Sequence, residues 1–242
     1  MLENIDIYAV IPAAGVGKRM ACDRPKQYLK LLDKTVLHHT VQTINQLAIV
    51  EGVVVAISSG DEYFATCGVS SMPNVTRVDG GKERVDSVLS GLEYWVKSAG
   101  PAKAAKAWVL VHDAARPNVK PDEVNRLVQQ CIDKQCGGIL AAPVRDTMKR
   151  SHIQSDLVAH TECRESLWHA LTPQFFPLLA LRDALRQGLA AGLTITDEAS
   201  AMEQANHQVL LVEGGADNLK ITRPEDLALA EFYLMNKGKI ND

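Results

Sequence analysis

Residues 9–28 read AVIPAAGVGKRMACDRPKQY, which joins an apolar run to small residues and then to a basic cluster. The apolar residues 5–11 predict a buried strand that stops at Pro12, because proline cannot donate to a central ladder. Small residues follow at 13–17, and their glycines let backbone N–H groups approach a ligand closely. Five cations and a single acid lie within residues 18–30. A tight turn with a solvated basic face would not need so many small residues, so the sequence favours a polyphosphate cradle.

Two familiar phosphate-binding patterns do not fit this loop. The P-loop pattern G-x-x-x-x-G-K-[ST], aligned on Gly17, places Pro12 at its first glycine and Arg19 at its hydroxyl position. The dinucleotide pattern G-x-G-x-x-G accepts Gly15 and Gly17 but meets Met20 at the third glycine, where close helix packing needs a small residue. The loop is therefore predicted to bind a highly anionic group in another way, with long cations such as Arg19 reaching into the site.

The composition limits the class of protein. The chain has 242 residues, a net charge of −3, 5% aromatic residues and five cysteines. This length and an aliphatic composition suit one α/β domain with a parallel sheet covered by helices. The small net charge gives no overall reason to bind nucleic acid or an anionic membrane. Scattered cysteines, no basic N-terminal segment and no apolar run of about 18 residues favour a cytoplasmic protein.

Strand and helix patterns alternate along the chain with short connections. Strands are predicted at residues 5–11, 52–58, 74–79, 108–112, 138–143, 209–213 and 219–221. Helices are predicted at residues 36–47, 82–98, 122–135, 178–191 and 224–235, with a further helix opening at 196–198. This alternation predicts a doubly wound, mostly parallel α/β sheet, and we expect a single domain over residues 1–242.

Two segments depart from that alternation. Residues 101–106, PAKAAK, are predicted to form a surface loop without chemistry. Residues 144–166 are charged and too poor in apolar side chains to build a core. We call residues 144–166 the arm and expect it to be extended and to need another surface on which to pack.

Three segments are predicted to meet at one edge of the sheet, where ligands of such folds bind. They are the loop after strand 5–11, the pair Gly80-Gly81, and residues 113–116. Asp113 follows a buried strand and is the expected ligand for Mg²⁺, which takes one or two carboxylates beside phosphates and water. A turn or capping role for Asp113 is the alternative. Gly80-Gly81 can let a base approach closely, although an ordinary strand-to-helix turn explains this pair nearly as well.

The motifs AAGxGxRM, PKQY, DGGxxR, VHDAAR, APVRDT, LTPQ, TDEAS and DNxKIT occur in this order between residues 5 and 235. This set resembles the cytidylyltransferases that act on 2-C-methyl-D-erythritol 4-phosphate. The resemblance implies a Rossmann-like nucleotidyltransferase topology. It also implies transfer of a cytidylyl group from CTP to that alditol phosphate with release of pyrophosphate, assisted by Mg²⁺. Such a reaction needs positioning and charge stabilisation rather than a covalent intermediate.

The resemblance, together with the residue patterns, assigns roles to individual positions. The expected catalytic cations are Arg19, Lys26, Arg164 and Lys220. The nucleotide is expected to contact Pro12, Ala13, Ala14, Gly15, Gly17, Gly80, Gly81, Arg84, Ser87 and Ala114. The alditol phosphate is expected to contact Arg116, Thr147, Arg164, Thr172, Thr196 and Lys220. Asp113 is the expected metal ligand, whereas the neighbouring His112 is expected to pack or hydrogen bond.

The resemblance implies a homodimer formed through the arm, whose residues would contribute to the partner's site. Two alternatives stay open. A related cytidylyltransferase acting on ribitol 5-phosphate would share the fold and the loop. A non-catalytic nucleotide-sensing module would bind nucleotide without turnover, although it would not need the full set of cations.

Overall fold

The computed structural model of the chain describes residues 5–15 and 24–236. In chain order the strands are β1 (Ile7–Pro12), β2 (Lys30–Leu31), β3 (Lys34–Thr35), β4 (Gly52–Ile57), β5 (Val75–Asp79), β6 (Trp108–Val111), β7 (Gly138–Pro143), β8 (Lys149–Ser151), β9 (Val158–Thr161), β10 (Trp168–Pro177) and β11 (Leu210–Glu213). The helices are α1 (Val36–Asn45), α2 (Arg84–Ala104), α3 (Pro121–Lys134), α4 (Leu178–Ala190), α5 (Glu198–Gln204) and α6 (Pro224–Met235).

Seven strands form one sheet in the order β11-β7-β10-β6-β1-β4-β5. Every pair is parallel except those of β10, which runs antiparallel to both β6 and β7. The predicted mostly parallel α/β sheet is therefore confirmed. β10 was not predicted as a strand, and an apolar run carries no information about the direction of its neighbours.

Both faces of the sheet are covered by helices. Along β1, Ala9 and Ile11 belong to the apolar cluster that includes α1 and α3. Tyr8 and Val10 belong to the opposite cluster, which includes α2, α4 and α5. Alternate side chains of a strand point to opposite faces, so a strand buried on both sides must be apolar throughout. This explains why the central strands appear in the sequence as continuous apolar runs.

The loop predicted at residues 101–106 is wrong. Residues up to Ala104 are helical and belong to α2, although Gly100 (φ 76°, ψ 165°) interrupts the helix with a backbone conformation that glycine adopts readily. Pro101 then restarts the helix, where its missing N–H costs little. Ala104 is buried, so this turn packs on the domain.

The strand predicted at residues 219–221 is also wrong, because this segment joins no sheet. The N–H of Ile221 donates to the carbonyl of Ala115 at 2.9 Å. The side chain of Lys26 donates to the carbonyl of Ile221 at 2.7 Å. The segment is thus held by hydrogen bonds to two separate parts of the chain. Its apolar residues pack in a small satellite cluster with α6.

The arm stands apart from the seven-stranded sheet. Its strands β8 and β9 pair with each other as a separate antiparallel hairpin, and their residues are all exposed. The prediction that the arm lacks a core of its own is confirmed.

Candidate functional site

A cleft lies at the edge of the sheet where β1 and β6 end. We call it the cleft and define it by its lining residues, which are Pro12, Ala13, Ala14, Gly15, Lys26, Gln27, Arg84, Asp113, Ala114, Ala115 and Lys220. These residues come from four distant parts of the chain, and nine of them were predicted as site residues. Gln27 and Ala115 were not. Gly17 and Arg19, predicted to bind the nucleotide and to act in catalysis, lie outside the described residues.

The described start of the loop after β1, residues 13–15, is held by hydrogen bonds to other segments. The N–H of Ala13 donates to Ala56 at 2.7 Å, and the side chains of Gln27 and Ser58 donate to the carbonyls of Ala13 and Ala14 at 2.7 and 2.9 Å. Among the residues that the structure describes, no atom lies within 4 Å of a methyl group added at Gly15, which lines the cleft. Residues 13 and 14 are therefore held in place, and Gly15 is a place where a ligand can approach the backbone closely.

The glycine pair after β5 lies beside this loop. A Cβ added at Gly80 would stand 2.7 Å from the Ala14 methyl group and 2.8 Å from the Ser87 hydroxyl oxygen. The Ser87 hydroxyl accepts a hydrogen bond from the Gly81 N–H at 3.2 Å and donates to Glu83. A larger side chain cannot enter here without displacing the loop. Ser87 is buried, and its hydroxyl braces the turn in this structure.

Asp113 is the centre of charge in the cleft. Its Oδ1 accepts from Arg84 Nε at 2.9 Å, and its Oδ2 lies 2.8 Å from Lys220 Nζ and 3.4 Å from Arg116 Nε. Burial by itself would raise the pKa of this carboxyl. The charges of Arg84, Lys220 and Arg116 outweigh that effect and hold the pKa well below its ordinary value. Asp113 is therefore ionised at neutral pH and forms ion pairs with all three cations.

The backbone of Asp113 is held by a buried polar network. Its N–H donates to Thr172 Oγ1 at 3.1 Å, and Thr172 Oγ1 lies 2.8 Å from Nδ1 of His112. Nε2 of His112 lies 3.0 Å from the carbonyl of Arg116. A neutral imidazole protonated at Nε2 satisfies every group in this chain, since it donates to the carbonyl and accepts from the hydroxyl. Burial lowers the pKa of His112 to about 4, which favours this neutral form. The prediction that His112 hydrogen bonds is confirmed.

Arg116 and Thr172 lie beneath the cleft rather than in its lining. Arg116 is buried, its Nη1 donates to the carbonyl of Asn218 at 2.6 Å, and burial lowers its pKa while Asp113 opposes that effect. Asn218 Nδ2 in turn donates to the carbonyl of Thr172 at 2.7 Å. These bonds tie the segment that carries Lys220 to the end of β6.

Three predicted acceptor contacts are not brought into the cleft of this chain. Thr147 and Arg164 lie on the exposed arm, where Arg164 Nη1 donates to the carbonyl of Arg145. Thr196 is exposed just before α5, and its N–H donates to Ser200 at 3.1 Å. Their predicted contacts with the alditol phosphate remain predictions.

The sequence analysis missed Glu198 as a site residue. Arg84 Nη1 and Nη2 donate to Oε1 and Oε2 of Glu198 at 2.7 and 3.0 Å. The only sequence feature that pointed to Glu198 was its place in the TDEAS motif. An acidic residue there is equally typical of the first turn of a helix. Because 114 residues separate the two partners, their pairing depends on the tertiary fold.

Asp113 is the one carboxylate among the described residues that line the cleft. In the described ranges 5–15 and 24–236, no three His, Cys, Asp or Glu side chains cluster as a metal site. Mg²⁺ binds through one or two carboxylates and takes its other ligands from phosphates and water. The donor set therefore fits a metal ion held mainly by substrate phosphates, with ionised Asp113 as the protein ligand.

Comparisons with known proteins point to one family. The sequence model of the family described as 2-C-methyl-D-erythritol 4-phosphate cytidylyltransferase matches residues 7–236. A protein of that name from Escherichia coli O127:H6 is 54% identical over 96% of this chain and 94% of its own length.

Among the residues that the structure describes, no helix has the length and apolar character needed to cross a membrane.

Solved structures lead to the same family. The crystal structure of a 4-diphosphocytidyl-2C-methyl-D-erythritol synthase is 35% identical, with a TM-score of 0.81 over 95% of this chain and 99% of that one. The 2-C-methyl-D-erythritol 4-phosphate cytidylyltransferase of Francisella tularensis is 32% identical, with a TM-score of 0.80 over 94% of this chain and 99% of that one. The chain therefore belongs to the 2-C-methyl-D-erythritol 4-phosphate cytidylyltransferases, which transfer a cytidylyl group from CTP in isoprenoid biosynthesis.

Proposed function

We propose that the cleft carries out this transfer by charge stabilisation and positioning alone. An oxygen of the alditol phosphate attacks the α-phosphorus of CTP, the bond to the β-phosphate breaks, and pyrophosphate leaves with the electron pair. The products are 4-diphosphocytidyl-2-C-methyl-D-erythritol and pyrophosphate. The attacking phosphate oxygen is already nucleophilic, so no general base is needed. The observation that carries the proposal is that Arg84 and Lys220 pair with one ionised carboxylate, Asp113, in a cleft that Lys26 also lines.

The nucleotide lies on the loop after β1 and the glycine turn after β5. Residues 12–15 and Gly17 receive the triphosphate, and the open position at Gly15 supports a close approach of the phosphates. Gly80 and Gly81 receive the cytosine and ribose together with Arg84, Ser87 and Ala114. Arg19 and Lys26 neutralise the charge that develops on the α-phosphate and the leaving pyrophosphate.

The acceptor lies on the Lys220 side of the cleft. Lys220 holds the acceptor phosphate in line with the α-phosphorus, together with Arg164 from the arm. Arg116 and Thr172 shape the floor beneath it, and Thr147 and Thr196 complete the contacts with the alditol. The support for Lys220 is its position, since its ammonium group both lines the cleft and meets Asp113 Oδ2 at 2.8 Å.

The family is divalent-metal-dependent in general. We assign Mg²⁺ as the metal ion and Asp113 as the residue that would help hold it. The ion supplies charge neutralisation for the phosphates when bound. Asp113 supports this role because its carboxyl is ionised at neutral pH and lies at the open edge of the sheet.

The assembly is a homodimer formed through the arm, in which Thr147 and Arg164 serve the partner's cleft. The exposed apolar side chains of Ile153, Leu157 and Val158 on the arm support this proposal, being 94%, 73% and 57% exposed. The chain functions as one domain carrying the arm, and it acts in the cytoplasm. Free thiols at the four described cysteines suit a reducing compartment.

The decisive experiment measures pyrophosphate release from CTP with either of two acceptors. We expect turnover with 2-C-methyl-D-erythritol 4-phosphate that depends on CTP and a divalent cation. Ribitol 5-phosphate, assayed in parallel, serves as the matched acceptor, and omission of either acceptor gives the hydrolysis background. Faster turnover with ribitol 5-phosphate would overturn the assigned acceptor. CTP binding without turnover on either acceptor would overturn the enzymatic function.

A further inference from the structure

A buried carboxylate outside the cleft holds one of the cleft's cations. The Glu198 side chain is only 1% exposed and makes a two-point bond to the guanidinium of Arg84, at 2.7 and 3.0 Å. Bidentate arginine–carboxylate pairs fix orientation as well as charge. Glu198 does not line the cleft, so it acts on the site only through Arg84.

This bond decides which atom of Arg84 reaches Asp113. Both terminal nitrogens of the guanidinium are used by Glu198, and only Nε donates to Asp113, at 2.9 Å to Oδ1. Asp113 Oδ2 consequently remains for Lys220 at 2.8 Å and Arg116 at 3.4 Å. Without Glu198, the terminal nitrogens of the Arg84 guanidinium could donate hydrogen bonds to both carboxylate oxygens of Asp113. Lys220 would then lose Asp113 Oδ2 as its partner.

Glu198 is itself held rigidly at the start of α5. Gln174 accepts a hydrogen bond from the Ala199 N–H at 2.8 Å and donates to Asp197 Oδ2 at 2.8 Å. Asp197 also caps α5 by accepting from the Ser200 N–H at 2.9 Å. The neighbours on both sides of Glu198 are thus bonded to the rest of the fold, so its carboxylate is a fixed anchor.

We propose that Glu198 is a positioning residue for the transfer reaction, acting by locking Arg84 in the orientation that leaves one oxygen of Asp113 to Lys220. The inference rests on the proposed function, because it assigns Glu198 a share in arranging those same cations. It adds that the beginning of α5 is coupled to the beginning of α2 through one ion pair. A buried ion pair does not by itself imply a gain in stability, and orientation is a better-supported reason for its presence.

The test is a double-mutant cycle on kcat/KM for CTP. Glu198→Gln keeps the size of the side chain but removes its charge and one acceptor oxygen. We expect kcat/KM to fall on the order of 10²-fold, as a small misplacement of catalytic groups typically produces. Arg84→Gln should produce a comparable fall, and the double variant should fall no further, since the two residues act as one unit. Glu203→Gln, an exposed carboxylate on the same helix, is the matched control and should retain wild-type activity.

The cycle separates positioning from a purely structural role. Circular dichroism and thermal unfolding identify the folded fraction, and if Glu198→Gln does not fold, the cycle is run with Glu198→Asp, which keeps the charge at shorter reach. Wild-type activity in a folded Glu198 variant, or additive losses in the double variant, would overturn the proposal. Inactive wild-type protein would instead refute the proposed function, so the two failures are distinguishable.

Discussion

The cleft and the arm both contain ion pairs, but these pairs differ in burial and in how far apart the partners lie along the chain. Asp113 in the cleft and Glu198 behind it are buried, and their ion pairs join parts of the chain that are far apart in sequence. In the arm, Arg150 pairs with Glu162 across a small hairpin, and His160 contacts the same carboxylate from two residues away along the chain. Arg150 and His160 are exposed, and Glu162 is half-buried. The first arrangement fixes a geometry, whereas the second joins only local neighbours.

The difference follows from solvent screening. Exposed ion pairs contribute roughly 0–1 kcal/mol, because water screens them and ordering the side chains costs entropy. A buried pair is screened far less, and removing one partner leaves an uncompensated charge. An isolated two-stranded hairpin is at best marginally stable in water. The fold of one chain therefore brings Lys26, Arg84 and Lys220 together in the cleft, whereas the arm hairpin has only exposed residues and local pairs.

The largest expected effect lies in the cleft, at Lys220. Lys220→Ala should lower kcat by about 10²–10³, or roughly 3–4 kcal/mol of transition-state stabilisation, because a positioned cation is lost. Stability should change little, since Asp113 keeps its bonds to Arg84 and Arg116. Steady-state pyrophosphate release and thermal unfolding measure the two quantities. Lys103→Ala, at an exposed position of α2, is the control. Near-normal turnover of Lys220→Ala would make this lysine structural.

The next effect concerns the buried network behind Asp113 and its response to acid. The folded-state pKa of His112 is about 4, below its ordinary value of 6.5. Above pH 6.5 both folded and unfolded states are neutral, so the full stability is present. As the pH falls from 6.5 to 4, only the unfolded state gains the proton, and the free energy of unfolding should fall by about 3 kcal/mol.

Chemical denaturation at a series of pH values measures this fall. His112→Gln should be less stable at pH 7 but should show a flatter profile between pH 6.5 and 4. His39 also has a pKa lowered by burial, so His39→Gln should remove only a smaller part of the slope. Below pH 4, Asp113 adds a further loss, because its depressed pKa stabilises the folded state only while the carboxyl is ionised. An unchanged slope in His112→Gln would contradict the assigned network.

The smallest effect concerns the arm. Leu157→Asp should weaken dimerisation, because burying one leucine side chain contributes about 1.5–3 kcal/mol and a buried aspartate adds a desolvation cost. Light scattering across a concentration series measures the change. Leu193→Asp, at a 47% exposed leucine outside the arm, is the matched control and should leave the oligomeric state unchanged. Wild-type protein that is monomeric at micromolar concentration would contradict the proposed dimer.

Much of the fold was predictable because it depends on local pattern. The continuous apolar runs that became β1, β4 and β6 indicated strands buried on both faces, and the amphipathic runs indicated the covering helices. The errors at residues 101–106 and 219–221, and the strand β10 that was not predicted, arose where backbone conformation depended on packing against other segments. Ala104 is buried by the fold, and Ile221 finds its backbone partner in Ala115 rather than in a neighbouring strand.

By itself the sequence determined six of the seven strands of the sheet, the small residues that follow β1, the position of Asp113 at a strand end and the family to which the chain belongs. These follow from residue types at short spacing, where periodicity and motif order carry the information. Only the tertiary structure decided that β10 runs antiparallel, that His112 is a buried neutral imidazole, and that Glu198 clamps Arg84. These features depend on contacts between residues far apart in sequence, such as the 60 positions between His112 and Thr172 and the 114 between Arg84 and Glu198. No local pattern specifies which distant groups will meet.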